Sequence, residues 1–345
     1  MKFTDETKDS IKRFIIENIS DHPNDILTVT TGNLKISKPT VSKYLNELIV
    51  NGIITKKNKG RYPNYQLITE TFKKNYDLEN SPEEDVIWRK DIMPLFADVP
   101  FNIKEACQYG FTEMVNNVIE HSGAKKMGVL VYYNAAVIGM IILDHGIGIF
   151  DKIRNDLCLD DPKHSILELA KGKFTSDPNN HTGEGIFFTS RIFDYFAIFS
   201  KKLSFFGHKN SDWLFENENT NIDGTCVMMM IKKSSMVSIE QIFNEYADPD
   251  KNPGFHKTII PVKLMQYEGE SLLSRSQAKR LTVRFDRFLE VILDFEGVNI
   301  IGQAFADEIF RVFQNGHPGV RLHPINCTEN VETMIKHVTG KNNLQ

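Results

Sequence analysis

Cysteine is scarce. The 345 residues hold four, Cys107, Cys158, Cys226 and Cys327, and no two stand close enough for a CxxC pair. That excludes a disulfide framework, and reduced thiols in a cytoplasmic protein are expected. An excess of basic charge is missing as well: 41 Lys and Arg face 45 Asp and Glu, a formal net charge of −4. A nucleic-acid role therefore has to come from a local basic patch. Long apolar runs are absent. The longest, Val129 to Leu143, is broken by Asn134 and Gly139 and is too short to cross a bilayer. It reads as a hairpin of core strands. The N-terminal stretch MKFTDETKDS has no apolar signal core, so no membrane partner is expected. There is no long internal repeat and no low-complexity tract. What remains is ordinary globular composition, 41% hydrophobic and 25% charged. At about 150 residues per domain, the length suits two or three domains.

Residues 1–70 form a first block. Thr4 is placed to cap a helix, with Asp5 and Glu6 in its first turn, and Ile11, Phe14, Ile15 and Ile19 follow at helical spacing. A short helix is expected over Asp25 to Thr30. Ser37 caps an amphipathic helix with Val41, Tyr44, Leu45, Leu48 and Ile49 on its apolar face, and Gly52 sits at its C′ position. Ile53-Ile54-Thr55 reads as a strand, Lys56 to Arg61 as a basic turn, and Tyr65 to Ile68 as the return strand. Between Lys35 and Arg61 stand seven basic residues against one acid, Glu47.

Helices followed by a basic hairpin resemble a winged helix-turn-helix domain. In that family the last helix enters the major groove and the wing touches backbone or minor groove. The residues off the apolar face or in the wing are Lys38, Thr40, Ser42, Lys43, Asn46, Lys56, Lys57, Lys59 and Arg61. They are the candidate contacts to double-stranded DNA: cations for phosphates, hydroxyls and the amide for base edges or phosphates. The competing reading is a wing that docks protein. Residues 71–94 turn acidic and read as a linker with at most one helix.

The block 95–235 carries the chemistry. Phe111 to His121 reads FTEMVNNVIEH, and on a helix Glu113 and Asn117 share a face. A strand from Val137 delivers Asp144-His145-Gly146-Ile147-Gly148. Further on comes His181-Thr182-Gly183-Glu184-Gly185, then a very apolar helix, then a last strand from Gly224-Thr225. These pieces suit a nucleotide. A carboxylate at a strand end accepts from adenine's amino group, and glycines let a flat base lie on backbone. A Gly-x-Gly at a helix start presents N–H groups to phosphate. An amide oxygen suits Mg²⁺, and a nearby carboxylate polarises water or a hydroxyl. Phe187, Phe188, Phe193, Tyr195, Phe196 and Phe199 read as core.

In this order the pieces resemble the GHKL ATP-binding family of gyrase, Hsp90, MutL, histidine kinases and anti-sigma-factor serine kinases. The resemblance implies Glu113 as general base and Asn117 as Mg²⁺ ligand. It implies Asp144 on adenine with Gly146 and Gly148 beside it. It puts Gly183 and Gly185 around phosphate, Thr225 behind Asp144, and a lid from Lys171 to Asn180. His181 replaces the first glycine of a histidine-kinase box, and His121 follows Asn117 by four as in the anti-sigma-factor kinases. No helical hairpin with a phosphoacceptor histidine precedes the block.

The block 236–345 alternates strands and helices. Strands are expected at Val262 to Tyr267, Val291 to Phe295 and Val320 to Ile325. Helices are expected from the Ser274 cap to about Phe288, over Gly302 to Phe313, and from the Thr328 cap through Ile335. That pattern means an α/β layer with a partly parallel sheet. It resembles the STAS-like domains found behind GHKL modules. In that resemblance Ala304 stands where anti-sigma-factor antagonists carry a phosphorylatable Ser. Gln303, Asp307 and Glu308 share a helix face, with Arg275 able to pair with one of the acids.

The fold expected is thus multidomain α+β: winged helix, GHKL α/β sandwich, STAS-like α/β domain. The function expected is an ATP- and Mg²⁺-dependent switch acting on a DNA-binding regulator, with a protein partner for the STAS-like part and a homodimer by analogy. A serine/threonine kinase and a purely protein-binding switch are the alternatives.

Overall fold

The computed structural model describes residues 3–57, 63–80, 82–173, 183–208, 211–216, 222–247, 255–266 and 271–340. The protein is mixed α+β with more than one domain. Its chain divides into two compact units. One holds 1–74 with 129–140 and 230–235; the other holds 75–128, 141–229 and 236–345.

In the first unit, helices α1 (Asp5–Asn18), α2 (Ile26–Leu34) and α3 (Lys38–Val50) precede the hairpin β1 (Ile54–Lys57) and β2 (Asn64–Leu67). Thr4 Oγ1 accepts from Thr7 N at 3.3 Å, and Ser37 Oγ from Thr40 N at 3.4 Å. Each hydroxyl satisfies an N–H that the helix start leaves without a partner. Gly52 takes φ +69 just after α3, a turn that a side chain would strain. The α3 face predicted as apolar is buried at Val41, Tyr44, Leu45 and Leu48. It packs with Ile11, Ile15, Ile19, Ile26, Ile54 and Tyr65 into one core. Two expectations shift here. The second helix runs on to Leu34, because Leu27, Thr30, Thr31 and Leu34 keep a helical spacing that the short estimate cut off. Lys56 and Lys57 belong to β1, paired with Tyr65 and Asn64, and not to the turn.

The stretch expected as a linker is structured. Strand β3 (Glu70–Asp77) joins a seven-stranded sheet, followed by α4 (Glu84–Ile87), a π turn over Trp88–Ile92 and a 3-10 turn over Met93–Phe96. β3 is an edge strand burying only Tyr76, whose hydroxyl donates to Asp91 Oδ2 at 2.9 Å. Its polarity is what edge strands use against mispairing, and it imitates linker composition.

The sheet continues through β4 (Lys126–Tyr133), β5 (Val137–Asp144), β6 (Tyr195–Lys201), β7 (Leu203–His208), β8 (Ser211–Glu216) and β9 (Ile222–Lys232), in the order β3-β4-β5-β9-β6-β7-β8. Around it are α5 (Phe101–His121), α6 (Ile149–Asp156), α7 (Lys163–Lys171) and α8 (Gly185–Ile192). Phe111, Met114, Val115 and Val118 turn one face of α5 into the core.

After α9 (Ile239–Tyr246), strands β10 (Lys257–Pro261), β11 (Glu290–Asp294) and β12 (Arg321–Ile325) form a parallel sheet with β11 central. α10 (Arg275–Thr282) starts at Ser274 with a capping box to Gln277. α11 (Gln303–Asp307) continues as a π turn over Glu308–Phe313 and the short α12 (Gln314–Gly316). α13 (Glu329–Thr339) starts at Thr328, whose hydroxyl accepts from Val331 N.

Two boundaries differ from expectation. The strand lies at 257–261, and Val262–Met265 is a 3-10 turn. Pro261 ends the strand, at a position where its missing N–H costs no ladder bond inside it. α10 stops at Thr282 and does not reach Phe288. Arg284 adopts φ 65 and buries its guanidinium against Glu168 of α7, which no helix continuing through it would permit. Arg275 pairs with Asp307 at 3.4 Å, as the sequence suggested.

Candidate functional site

Every side chain of the site lies in the second unit. α5 carries Glu113 and Asn117, four apart on one face. β5 ends in Asp144, the following loop carries Gly146 and Gly148, Gly183 precedes α8, Gly185 opens it, and Thr225 lies on β9. Glu113, Asn117, Asp144, Gly148, Gly183, Gly185 and Thr225 line one cavity of about 350 Å³. That volume falls in the usual range for small-molecule sites. Gly146 stands behind it.

Asp144 is the buried acid of the cavity, 1% exposed. Its Oδ1 accepts from Gly146 N at 2.8 Å, and the Thr225 backbone N–H and hydroxyl also donate to its carboxylate. The Thr225 hydroxyl in turn accepts from Ile149 N at 3.1 Å. Burial pushes the Asp144 carboxyl above the ordinary range, and the donors only partly oppose it. A buried acceptor under that load favours a ligand that brings another donor.

The glycines are needed for close approach. A Cβ on Gly146 would overlap the Ser122 carbonyl, which itself accepts from Ile147 N at 2.9 Å. The overlap is with backbone and cannot be relieved by a rotamer change. Gly146→Ala is therefore expected to cost about 1–3 kcal/mol. Gly316→Ala, with open space around it, is expected to stay within about 0.5 kcal/mol. Thermal melts of the two variants check this. A Cβ on Gly185 would overlap the Glu113 carboxylate, so the glycine lets that carboxylate lie against the start of α8. The α8 N-terminus and Glu113 thus meet at one point of the cavity wall.

Asn117 has a buried Nδ2 with no hydrogen-bond partner. Buried amides are normally paired, so an unpaired one on a cavity wall marks a ligand position. The unpaired N–H of this amide suits an acceptor such as a phosphate oxygen, and its Oδ1 is the atom that could face a cation. Among the described residues no cluster of three or more His, Cys, Asp or Glu would hold a metal alone.

Among the lining residues that the sequence reading missed are Tyr109, Lys152 and Phe243. Tyr109 stands one turn before Glu113 on the same face of α5, a spacing that could have revealed it. Its hydroxyl is pushed up by burial first, then by Glu113 and Glu184. Lys152 follows the glycine loop and donates to Asp156 at 3.0 Å. Phe243 comes from α9, outside the block assigned to the site, and nothing in its sequence surroundings signals it.

The lid expectation changes at its start. Lys171 is the last residue of α7 and is 0% exposed, bonded to Glu168 Oε1 at 2.5 Å and to the Val283 carbonyl at 2.9 Å. It anchors α7 and is no part of a lid. Positions 174–180 of that segment, and His181 and Thr182, lie outside the described residues.

In the other unit, Lys38, Lys43, Asn46, Lys56 and Lys57 are exposed, and Thr40 and Ser42 half-buried. Thr40 Oγ1 is bonded to Ser37 Oγ at 2.8 Å, so it serves the cap. Lys43 lies 3.8 Å from Glu47, which also binds Lys12 at 2.9 Å. Lys59 and Arg61 lie outside the described residues.

Residues 277–332 match the family model of the STAS-like domain of unknown function (DUF4325). The match covers α10 through the first turn of α13, including β11 and β12. No curated protein matches the chain. Among the described residues, no helix is long and apolar enough to cross a membrane.

Proposed function

We propose that the protein is an ATP-binding regulator. In this reading a GHKL-type module holds Mg·ATP, an N-terminal winged helix binds double-stranded DNA, and the STAS-like part meets a protein partner. The observation that carries it is the convergence of Asp144, Asn117, Gly183, Gly185 and Thr225 on one cavity. Asp144 would accept from the adenine amino group. The N–H groups at the start of α8 would meet phosphate. Asn117 would ligate Mg²⁺, which when bound offsets phosphate charge. Regulation requires that ATP favour one conformational state over another, since equal affinity shifts nothing.

Glu113 favours a second reading, a serine/threonine kinase of the anti-sigma-factor type. Its carboxylate sits against Gly185, at the phosphate end, where a base would act on a hydroxyl. ATP labelled on the γ-phosphate separates the readings. Binding lost in Asn117→Ala supports the site. Label found on protein favours the kinase, free phosphate an ATPase cycle, and bound ATP without turnover a switch. Absence of binding by the wild-type chain overturns the proposal.

The DNA assignment rests on the exposed lysines of α3 and β1. Binding to random duplex is expected to fall steeply with salt, by roughly 0.9 in the log–log slope per phosphate neutralised. Changing Lys38, Lys43, Lys56 and Lys57 together to Ala is expected to flatten that slope by about 3–4. An unchanged slope in a filter-binding titration refutes this placement and favours the protein-docking reading of the wing.

A further inference from the structure

Helix α5 gives the cavity a direction. At its C-terminal end, Ser122 backs the Gly146 turn next to Asp144. Further back, Glu113 faces Gly185. One turn further still, Tyr109 lines the cavity beside Glu113 and Glu184. From Tyr109 to Ser122 the helix covers about 20 Å. Under the nucleotide reading, on which this inference rests, the base lies at the Asp144 end. The phosphates then run toward Glu113 and Tyr109.

What holds Tyr109 comes from a different stretch of chain. The Phe243 ring meets the Tyr109 ring edge-on, with centroids 5.6 Å apart and planes at 78°. Phe243 also meets Phe188 of α8 at 4.4 Å and 80°. It thereby bridges the two helices that bracket the phosphate end. α9 is itself fixed in place. Ser238 caps it through Gln241 N at 3.3 Å, and Asn102 Nδ2 donates to the Val237 carbonyl at 3.1 Å. Tyr246, one turn after Phe243, packs edge-on against Phe187 at 5.0 Å.

We propose that Phe243 is a positioning residue of the ligand site: it holds Tyr109 so that the phenol hydroxyl serves the terminal phosphates of a nucleoside triphosphate. α9 is then part of the site, although it lies beyond the block that carries the glycine loops. A phenol fits the task. It donates to an anion without adding charge, and burial beside two carboxylates keeps it protonated. Without the Phe243 ring, Tyr109 gains rotamer freedom and the apolar wall at that end opens to water.

The test is calorimetric titration of the full chain with AMP-PNP·Mg²⁺ and, separately, with AMP. In Phe243→Ala the dissociation constant for AMP-PNP is expected to rise about tenfold, the upper end for an aromatic pair, while that for AMP stays within about twofold. Phe243→Tyr is expected to restore AMP-PNP binding. Tyr109→Phe is expected to weaken AMP-PNP selectively, and the double variant Tyr109→Phe with Phe243→Ala to be no weaker than the worse single one, because the two act through one contact. Equal weakening of both nucleotides would mean a purely structural role and overturns the inference. So would unchanged AMP-PNP binding, additive effects or failure of the Tyr variant to restore binding. A wild-type chain that binds neither nucleotide overturns the nucleotide reading itself, and this inference with it.

Discussion

Glu168→Ala lowers the unfolding free energy of the second unit by about 3–5 kcal/mol, the loss expected when one partner of a buried ion cluster is removed. Glu168 is 2% exposed, Lys171 0% and Arg284 8%. The Glu168 carboxylate serves both cations, Lys171 through Oε1 at 2.5 Å and Arg284 through Oε2 at 2.9 Å. Burial pulls the Lys171 and Arg284 pKa values down, and Glu168 works against that fall. With Ala in its place, two buried cations lose the carboxylate that bonds them both. Carbonyls stay beside them, Val283 and Arg280 for Lys171, Gly172 and Glu168 for Arg284, but a carbonyl carries no full charge. Urea unfolding followed by tryptophan fluorescence reads this, since Trp88, one of the two tryptophans, is buried against Phe96 and Phe111 in the same unit. An unchanged midpoint would show that the cluster contributes little. Replacing Glu168, Lys171 and Arg284 together by Met, Leu and Met should recover most of the loss, because a well-packed apolar substitute removes the desolvation cost with the charges.

Under the proposed nucleotide reading, Asp144→Asn weakens ATP binding by roughly 10- to 100-fold, the equivalent of one hydrogen bond to a charged acceptor. Its effect on stability is small, with a melt shifted by no more than about 5 °C. The two readouts separate because the Asp144 carboxyl is raised by burial. The folded state binds its proton more tightly than the unfolded chain does. Stability therefore falls as pH rises from the ordinary carboxylate value, about 3.9, through the raised one, and the cost is fully present above the raised one. Asn removes that cost and gives up one of the acceptors facing Gly146 and Thr225. Any stability advantage of the variant disappears below the ordinary value, where Asp144 is protonated in both states. Titration calorimetry at neutral pH with melts between pH 3 and 7 checks both halves. Full ATP affinity in the variant would remove Asp144 from the base-recognition role.

Legibility in the sequence followed the range of the interaction. Thr4, Ser37, Ser274 and Thr328 announce their helices because a cap is a contact within three residues, and each hydroxyl accepts as expected. The α5 face with Glu113 and Asn117 was readable from its four-residue spacing, and Asp144 from the apolar strand before it. β3 was hidden because an edge strand needs only one buried side, and Glu70 to Asp77 buries a single residue. Arg284 and Phe243 were unreadable for a different reason. Their partners lie far off along the chain, and no local pattern distinguishes a guanidinium that will meet Glu168 from one that will meet water.

That distance also sets an order of events during synthesis. Glu168 and Arg284 are 116 positions apart, and Lys171 and Val283 112. At ~5–20 residues per second, the ribosome needs roughly 6–23 s to travel from one to the other. Until then α7 has an acid and a lysine meant for the interior and no second cation to complete them. A nascent chain paused between the two positions would leave Glu168 without Arg284 and Lys171 without the Val283 carbonyl. The last third of the protein then acts first as the seal on a segment made long before it.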